Sequence, residues 1–382
     1  MSLSHYAGWA LLAMSLAGCT FALMATFAAR SLFKRRPQSP GTEFPAITLL
    51  KPLHGAECGL EAALAGFLKQ DYSGPIQVVF GMRYTGDPAI AVVESLKRRF
   101  PNRDIAVVVD PAMHGTNRKI SNVVNMMKVA KHDYLVLTDS DITVPRDYLS
   151  TIATAAARPG VGIVSCLYAG NGAGNFWSRL SAMGLSYHFL PNASLGIALG
   201  VERPCFGSTV ALSRSTLEAI GGFEAFTEHF VDDYEIGRAA RRAGLAISYP
   251  AMVVQHGCDN ETFVGLVSQE LRWARAVRVV NPLGHFTSFV THPFALALLG
   301  AALLGFSQTA SLIVLGVLAV RILLKLQIDS LVGTRTGSLL WLPLRDLLSF
   351  AIFLGSMGGN AVEWRGERLR VEKSGLMSQI QG

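Results

Sequence analysis

Residues 9–29 are a run of 21 residues without a charge, and Arg30, Lys34, Arg35 and Arg36 follow it closely. In hydrocarbon a backbone must satisfy its own hydrogen bonds, so a run of this kind has to be a helix. About 20 residues suffice to cross a bilayer. A cleaved secretory leader carries positive charge before its apolar core, the reverse of the order here. The run is read as a retained anchor, with the basic cluster and the domain behind it in the cytoplasm. Three more apolar stretches follow at 289–306, 309–325 and 339–358. Hydrophobic residues make up 50% of the chain and charged ones only 16%, proportions that suit several segments in lipid. Four spans would leave the tail outside the cell, yet residues 364–370 are basic and favour the cytoplasm. The other reading makes 339–358 re-entrant or interfacial.

Between these segments strands alternate with helices. Strands are expected at 47–50, 77–80, 105–109 and 134–138, and helices at 60–69, 89–100 and 119–130. That alternation predicts a parallel sheet with crossover helices. Residues 37–45 read as a linker. Further on come a strand at 161–167, a Gly- and Asn-rich break at 170–175 and an apolar interfacial helix at 176–190. Helices at 228–244 and 264–280 complete the pattern. No GxGxxG or Walker A loop is present, which disfavours a dinucleotide oxidoreductase or P-loop ATPase. The net charge of +7 lies partly in short basic clusters that suit an anionic membrane surface rather than nucleic acid. Five cysteines without CxxC spacing (Cys19, Cys58, Cys166, Cys205, Cys258) read as reduced thiols.

The chemistry starts where the 134–138 strand ends, at Asp139-x-Asp141. Two acids at the carboxyl end of a buried parallel strand are costly unless a cation neutralises them. That edge of an open α/β sheet is also where ligands bind. A hard divalent ion, Mg²⁺ or Mn²⁺, shared with a diphosphate meets both conditions. A lone DxD is as often a plain polar strand end. The 228–244 helix carries Asp232-Asp233 near its start and Arg238, Arg241 and Arg242 near its end, matching the helix dipole. On the 264–280 helix, Gln269, Arg272 and Trp273 share one face.

The series Asp87, Asp139-x-Asp141, Asp232-Asp233, Gln269-x-x-Arg272-Trp273 resembles the inverting GT-A glycosyltransferases that use nucleotide sugars. Lys51-Pro-Leu-His-Gly55, Asn117-Arg-Lys-Ile-Ser-Asn122, Pro204-Cys205-Phe-Gly207, Gly221-Gly222-Phe223 and Asp233-Tyr234 narrow the resemblance to the ceramide glucosyltransferase family, over about residues 44–285. His114-Gly-x-Asn117 and Glu270-Leu-Arg-Trp-Ala-Arg275 are similar to its bacterial hopanoid-biosynthesis branch.

The resemblance implies an α/β GT-A, Rossmann-like domain with transmembrane and interfacial helices. Its parts would be an anchor at 1–36, a cytoplasmic catalytic domain at 37–285, a membrane region at 286–360 and a basic tail at 361–382. The implied setting is the bacterial inner membrane, multi-pass. The implied reaction moves N-acetylglucosamine from UDP-GlcNAc to a hydroxyl of bacteriohopanetetrol, a membrane lipid. Asp233 would be the general base, Asp87 would receive the uracil with Lys51 beside it, and Lys119 and Arg272 would meet the diphosphate. Asp141 would hold the metal, with Asp139 beside it and nearer the sugar or ribose. His256 is a third candidate ligand, set against an ordinary strand-end histidine. Asp232, Gln269, Trp273 and Cys205 complete the motif near the acceptor. Animal ceramide enzymes tend to carry Gly where this chain has Asp141, so metal use here follows the ordinary DxD pattern more closely. The alternatives are glucosylation of ceramide or diacylglycerol from UDP-glucose, a processive polysaccharide synthase, and a non-catalytic lipid-binding scaffold.

Overall fold

Successive residues of the Ile47–Pro52 strand point to opposite sides of a sheet. Ile47 and Leu49 join one apolar cluster with helices Leu60–Leu68, Ala89–Arg99 and Tyr148–Ala156, whereas Leu50 joins another with helices Arg118–Met127 and Asp232–Arg242. A strand covered on both faces has no polar side, which explains why all six of its residues are buried.

The computed structural model describes residues 2–34, 44–172, 174–201, 203–359, 361–364, 367–371 and 375–379, so the 37–45 linker falls mostly outside the described residues. The chain forms two compact units, one of residues 33–168, 202–259 and 370–382, the other of residues 1–32, 169–201 and 260–369.

The first unit holds a seven-stranded sheet in the order Asp104–Val109, Ile76–Met82, Ile47–Pro52, Tyr134–Leu137, Val210–Ser213, Val161–Val164, Ala246–Ser248. The first four strands are parallel, as the alternation predicts. Val210–Ser213 then runs antiparallel to both of its neighbours, so the sheet is mixed. Four residues after a tight Cys205–Thr209 turn carry too little periodicity to announce a strand, and the sequence reading has none there. The expected 161–167 strand is two, Val161–Val164 and Leu167–Asn171. A short antiparallel pairing joins Ile142–Thr143 to Val253–Gly257, with His256 opposite Ile142. The helix expected from residue 228 begins at Asp232, and residues 228–231 form the turn leading into it.

The second unit is helical. Leu3–Phe33, Gln308–Val332 and Leu339–Ser356 are each long and apolar enough to cross a membrane. The stretch expected as one span at 289–306 is instead a helix pair, Pro282–Thr291 and Pro293–Leu303, bent by 61°. Pro293 accounts for the break, because its ring cannot sit inside a continuous helix. Glycines let two helices approach: a Cβ on Gly8 would lie 2.7 Å from Leu304, and one on Gly300 would lie 2.9 Å from the Gly8 carbonyl oxygen. Inside Gln308–Val332, buried Arg321 pairs with Asp346 at 2.8 Å and buried Lys325 with Asp329 at 2.8 Å. The Tyr187 hydroxyl receives Lys325 at 2.8 Å and donates to the Thr336 carbonyl at 2.6 Å. Tyr187 lies in a π-helical turn, Leu185–Phe189, that divides the expected 176–190 helix and leads into Leu190–Leu199.

Candidate active site

The carboxyl end of the Tyr134–Leu137 strand gathers the acids. Asn117 starts the Arg118–Met127 helix, its side-chain oxygen accepting the Ile120 N–H at 3.0 Å. That cap sets Lys119 in the first turn, aimed at two carboxylates: its ammonium lies 2.8 Å from Asp139 Oδ1 and 3.0 Å from Asp232 Oδ2. The Asn117 amide also donates to Asp232 Oδ1 at 3.2 Å, tying two helix starts together. Burial opposes the Lys119 charge, but Asp139, Asp232 and Asp233 outweigh it and hold the ammonium above the usual lysine range.

Gly207 links the two acid pairs through its backbone. Its carbonyl accepts the Asp139 N–H at 3.1 Å, and its N–H donates to Asp233 Oδ2 at 2.6 Å. A Cβ there would overlap Asp139 Oδ2, so only glycine allows this approach. Asp233 Oδ1 accepts the Tyr234 N–H at 2.8 Å. Burial, then the charges of Asp232 and Asp139, push the Asp233 carboxyl up to about 7, with Lys119 pulling the other way. A carboxyl in that range exchanges protons near neutral pH.

Asp141 Oδ2 lies 3.3 Å from His256 Nε2, whereas its buried Oδ1 has no hydrogen-bond partner among the described residues. Burial, reinforced by Asp139, raises the Asp141 carboxyl against the pull of His256 and Lys51. Burial works against a charged His256, but Asp141 overrides it and lifts the imidazole to about 10. The residues fit a hard divalent ion: an orphaned carboxylate oxygen, Asp139 two residues away, and an imidazole that would release a proton on ligation. No group of three or more metal-type side chains gathers among the described residues. An ion that takes one or two carboxylates from protein and the rest from phosphate and water needs no such group.

Lys51 is fully buried, over the Phe67 ring at 4.0 Å, and donates to Thr138 Oγ1 at 2.7 Å and the Asp139 carbonyl at 2.5 Å. Burial lowers its ammonium to about 7 despite Asp141, Asp139 and Glu57. Lys51 therefore supports the acid turn from behind. Asp87 follows the Ile76–Met82 strand, which lies two strands over from Tyr134–Leu137 in the sheet. Its Oδ1 accepts the N–H groups of Gly55 and Ala89, both at 2.9 Å, and its Oδ2 lies 3.7 Å from His54 Nδ1. Cys205 is buried, and a Cβ on Gly237 would come within 2.8 Å of it. Burial pushes its thiol up to about 12, which leaves it protonated and unreactive.

Gln269, Arg272 and Trp273 lie on the Phe263–Val280 helix of the second unit, partly buried, with Gln269 accepting the Asn260 amide at 2.6 Å. The sequence reading gives no role to Asn117 or Gly207. Asn117 is legible as an N-cap before a helical run, but the contacts of Gly207 depend on chain brought from elsewhere.

Over residues 10–377 the chain matches the family described as Glycosyl transferase family 21. It is 24% identical over 314 residues to ceramide glucosyltransferase 1 of Caenorhabditis elegans, spanning 78% of this chain and 66% of that protein. Ceramide glucosyltransferase of Komagataella phaffii is 28% identical over 142 residues, 36% of this chain and 27% of that protein. The chain thus spans less than two thirds of the length of either relative. Among solved structures, a mannosyltransferase from Pyrobaculum calidifontis in complex with GDP-Man and Mn2+ aligns with a TM-score of 0.53 at 20% identity, covering 91% of this chain and 99% of that one. That likeness is one of fold, and the fold is the GT-A α/β architecture expected from the sequence.

Proposed function

The chain belongs to glycosyl transferase family 21 and is a sugar-transferring enzyme; on that premise we propose that it moves a sugar from a UDP-linked donor to a hydroxyl of a membrane lipid. The observation that carries the reading is the Asp139–Lys119–Asp232 bridge, joined through Gly207 to a carboxyl, Asp233, poised to exchange protons near neutral pH.

Asp233 is the proposed general base. Ionised, it takes the proton of the acceptor hydroxyl as that oxygen bonds to the anomeric carbon and the bond to the diphosphate breaks on the opposite face. One such displacement turns an α-linked donor into a β-linked product. Lys119 supplies positive charge to the departing diphosphate. Asp141, with Asp139 and His256, would hold a divalent ion that neutralises the diphosphate. Asp87, through its second oxygen, receives the uracil. Lys51 keeps the Thr138–Asp139 turn in place rather than meeting the donor, and Trp273 forms an acceptor wall with Gln269 beside it. The solved mannosyltransferase, described with GDP-Man and Mn2+, supports a nucleotide sugar and a divalent ion as the class of ligand.

The motifs at His114–Asn117 and Glu270–Arg275 favour N-acetylglucosamine and bacteriohopanetetrol in a bacterial inner membrane, catalytic face to the cytoplasm, with the four-part division at 36, 285 and 360. The named relatives favour glucose and ceramide. A matrix of UDP-glucose, UDP-galactose and UDP-GlcNAc against ceramide, diacylglycerol and bacteriohopanetetrol, read by lipid mass spectrometry, separates them. One N-acetylhexosamine on the hopanoid supports the first reading and one hexose on ceramide the second. Polymer ladders would replace both with a synthase, and no product would return the chain to a scaffold. Chelation should abolish turnover and Mg²⁺ or Mn²⁺ restore it; full activity in EDTA removes Asp141 as a ligand.

A further inference from the structure

We infer that the carboxyl-terminal segment around Gly375–Met377 is a positioning strap for the turn that presents Asp232 and Asp233. The inference rests on the reading of Asp233 as the base. Residues 228–231 have no repetitive structure of their own and run straight into the helix that begins at Asp232. The turn is held from two sides. On one, Asn117 donates from its backbone to the Thr227 carbonyl at 2.7 Å and from its side chain to the His229 carbonyl at 2.8 Å, while Thr116 Oγ1 meets Glu228 Oε2 at 2.8 Å. On the other is the tail. The Phe230 N–H donates to the Gly375 carbonyl at 3.0 Å, the Met377 N–H donates to the Glu228 carbonyl at 3.0 Å, and His229 and Leu376 form an antiparallel bridge between them.

The contact is built rather than incidental. Met377 is 5% exposed, and Gly375 has φ +83°, a left-handed conformation that favours glycine. A Cβ on Gly375 would come to 3.9 Å from Glu235 Oε1, so the strap also reaches the first turn of the helix that carries both acids. Losing it would strip partners from a donor at Phe230 and an acceptor at Glu228, two and four residues before Asp232. A base must be held to a fraction of an ångström, so a turn fixed on only one side loses turnover before it loses donor binding.

The test uses the full-length chain in detergent, a chain ending at Ser374, Met377→Pro, which lacks the N–H, and Met377→Leu, which keeps both the N–H and the apolar side chain. Each is measured for kcat, for affinity toward UDP, and for hydrogen exchange at the Phe230 amide. In the truncated chain and Met377→Pro, kcat should fall by about tenfold to a hundredfold with UDP affinity within about twofold of the parent. Exchange protection at Phe230 should vanish in both, and Met377→Leu should match the parent throughout. A truncated chain with undiminished kcat, or with Phe230 still protected, overturns the strap. A loss of UDP affinity matching the loss of kcat overturns it too, since that marks general damage. If the parent transfers no sugar with any donor and acceptor, the functional reading fails, and the exchange data alone decide whether the strap holds the turn.

Discussion

Asp233 has its two oxygens fixed by the N–H groups of Gly207 and Tyr234, in surroundings that favour its neutral form. As the base it must be ionised, so kcat/KM should rise with pH through an apparent pKa near 7, the position to which burial and Asp232 push this carboxyl. The sign for stability is the reverse. A carboxyl raised from 3.8 to about 7 in the fold stabilises it fully below 3.8, and that contribution is lost as pH rises through 7. Asp233→Asn should lower kcat by about 10²–10⁴-fold and leave UDP affinity intact. Near-parental turnover in this variant would remove the base assignment. Gly207→Ala makes a second residue-scale test. Its Cβ would displace Asp139 from Lys119, raising KM for the donor and destabilising the fold by about 1–3 kcal/mol, both measurable by kinetics and thermal unfolding. At this scale the acids were legible, since a carboxylate in a buried strand end announces its own cost. Gly207 was not: its importance lies in touching Asp139 and Asp233 at once, residues 68 and 26 positions away in the chain.

Elements were legible where a local signal ran undisturbed, as in Arg118–Met127, a helix opened by the Asn117 cap and buried without a break from Ile120 to Met126, and in the parallel strands, whose residues are mostly apolar. They were illegible where pairing came from a distant partner. Asp141 meets His256 because Ile142–Thr143 pairs with Val253–Gly257, more than a hundred residues on, and no local pattern encodes that register. The same holds for the Phe263–Val280 helix. Its amphipathic face was plain, but the side chain that holds it was not. Arg345 donates to both Glu270 oxygens, at 2.8 and 2.6 Å, one residue beyond Gln269, while also reaching Ser349 and the Leu180 carbonyl. Arg345 is 3% exposed, so removing its partner leaves a buried charge uncompensated. Glu270→Leu should cost about 3–5 kcal/mol, and Glu270→Leu with Arg345→Leu should cost less than the sum of the single changes. A double-mutant cycle on thermal unfolding checks this. Additive losses would mean that the two side chains do not depend on each other.

For the whole chain the question is how many times it would cross a bilayer between leaving the sheet-bearing unit and returning to it. Residues 202–259 belong to that unit, and so do residues 370–382, which are hydrogen-bonded to it at Phe230 and Glu228. A chain that leaves one side and is bonded to the same unit on its return has crossed an even number of times. Gln308–Val332, at 25 residues, is about 37 Å long, enough to span an approximately 30 Å hydrocarbon core. If it crosses, an even count requires one of the other two segments to cross and the other to turn back. From sequence, 339–358 reads as a fourth span or as a re-entrant or interfacial segment; the 61° bend falls at Pro293. The 11 residues of Pro293–Leu303 reach only about 16 Å, half the core. We therefore expect the bent pair to be re-entrant and Leu339–Ser356 to complete the return. Cys58, exposed in the sheet-bearing unit, supplies a native reporter. In sealed vesicles, a membrane-impermeant maleimide should label Cys58 and a cysteine appended after residue 382 from the same side. Labelling from opposite sides would require an odd number of crossings, and would remove the Glu228–Met377 and Phe230–Gly375 bonds along with it.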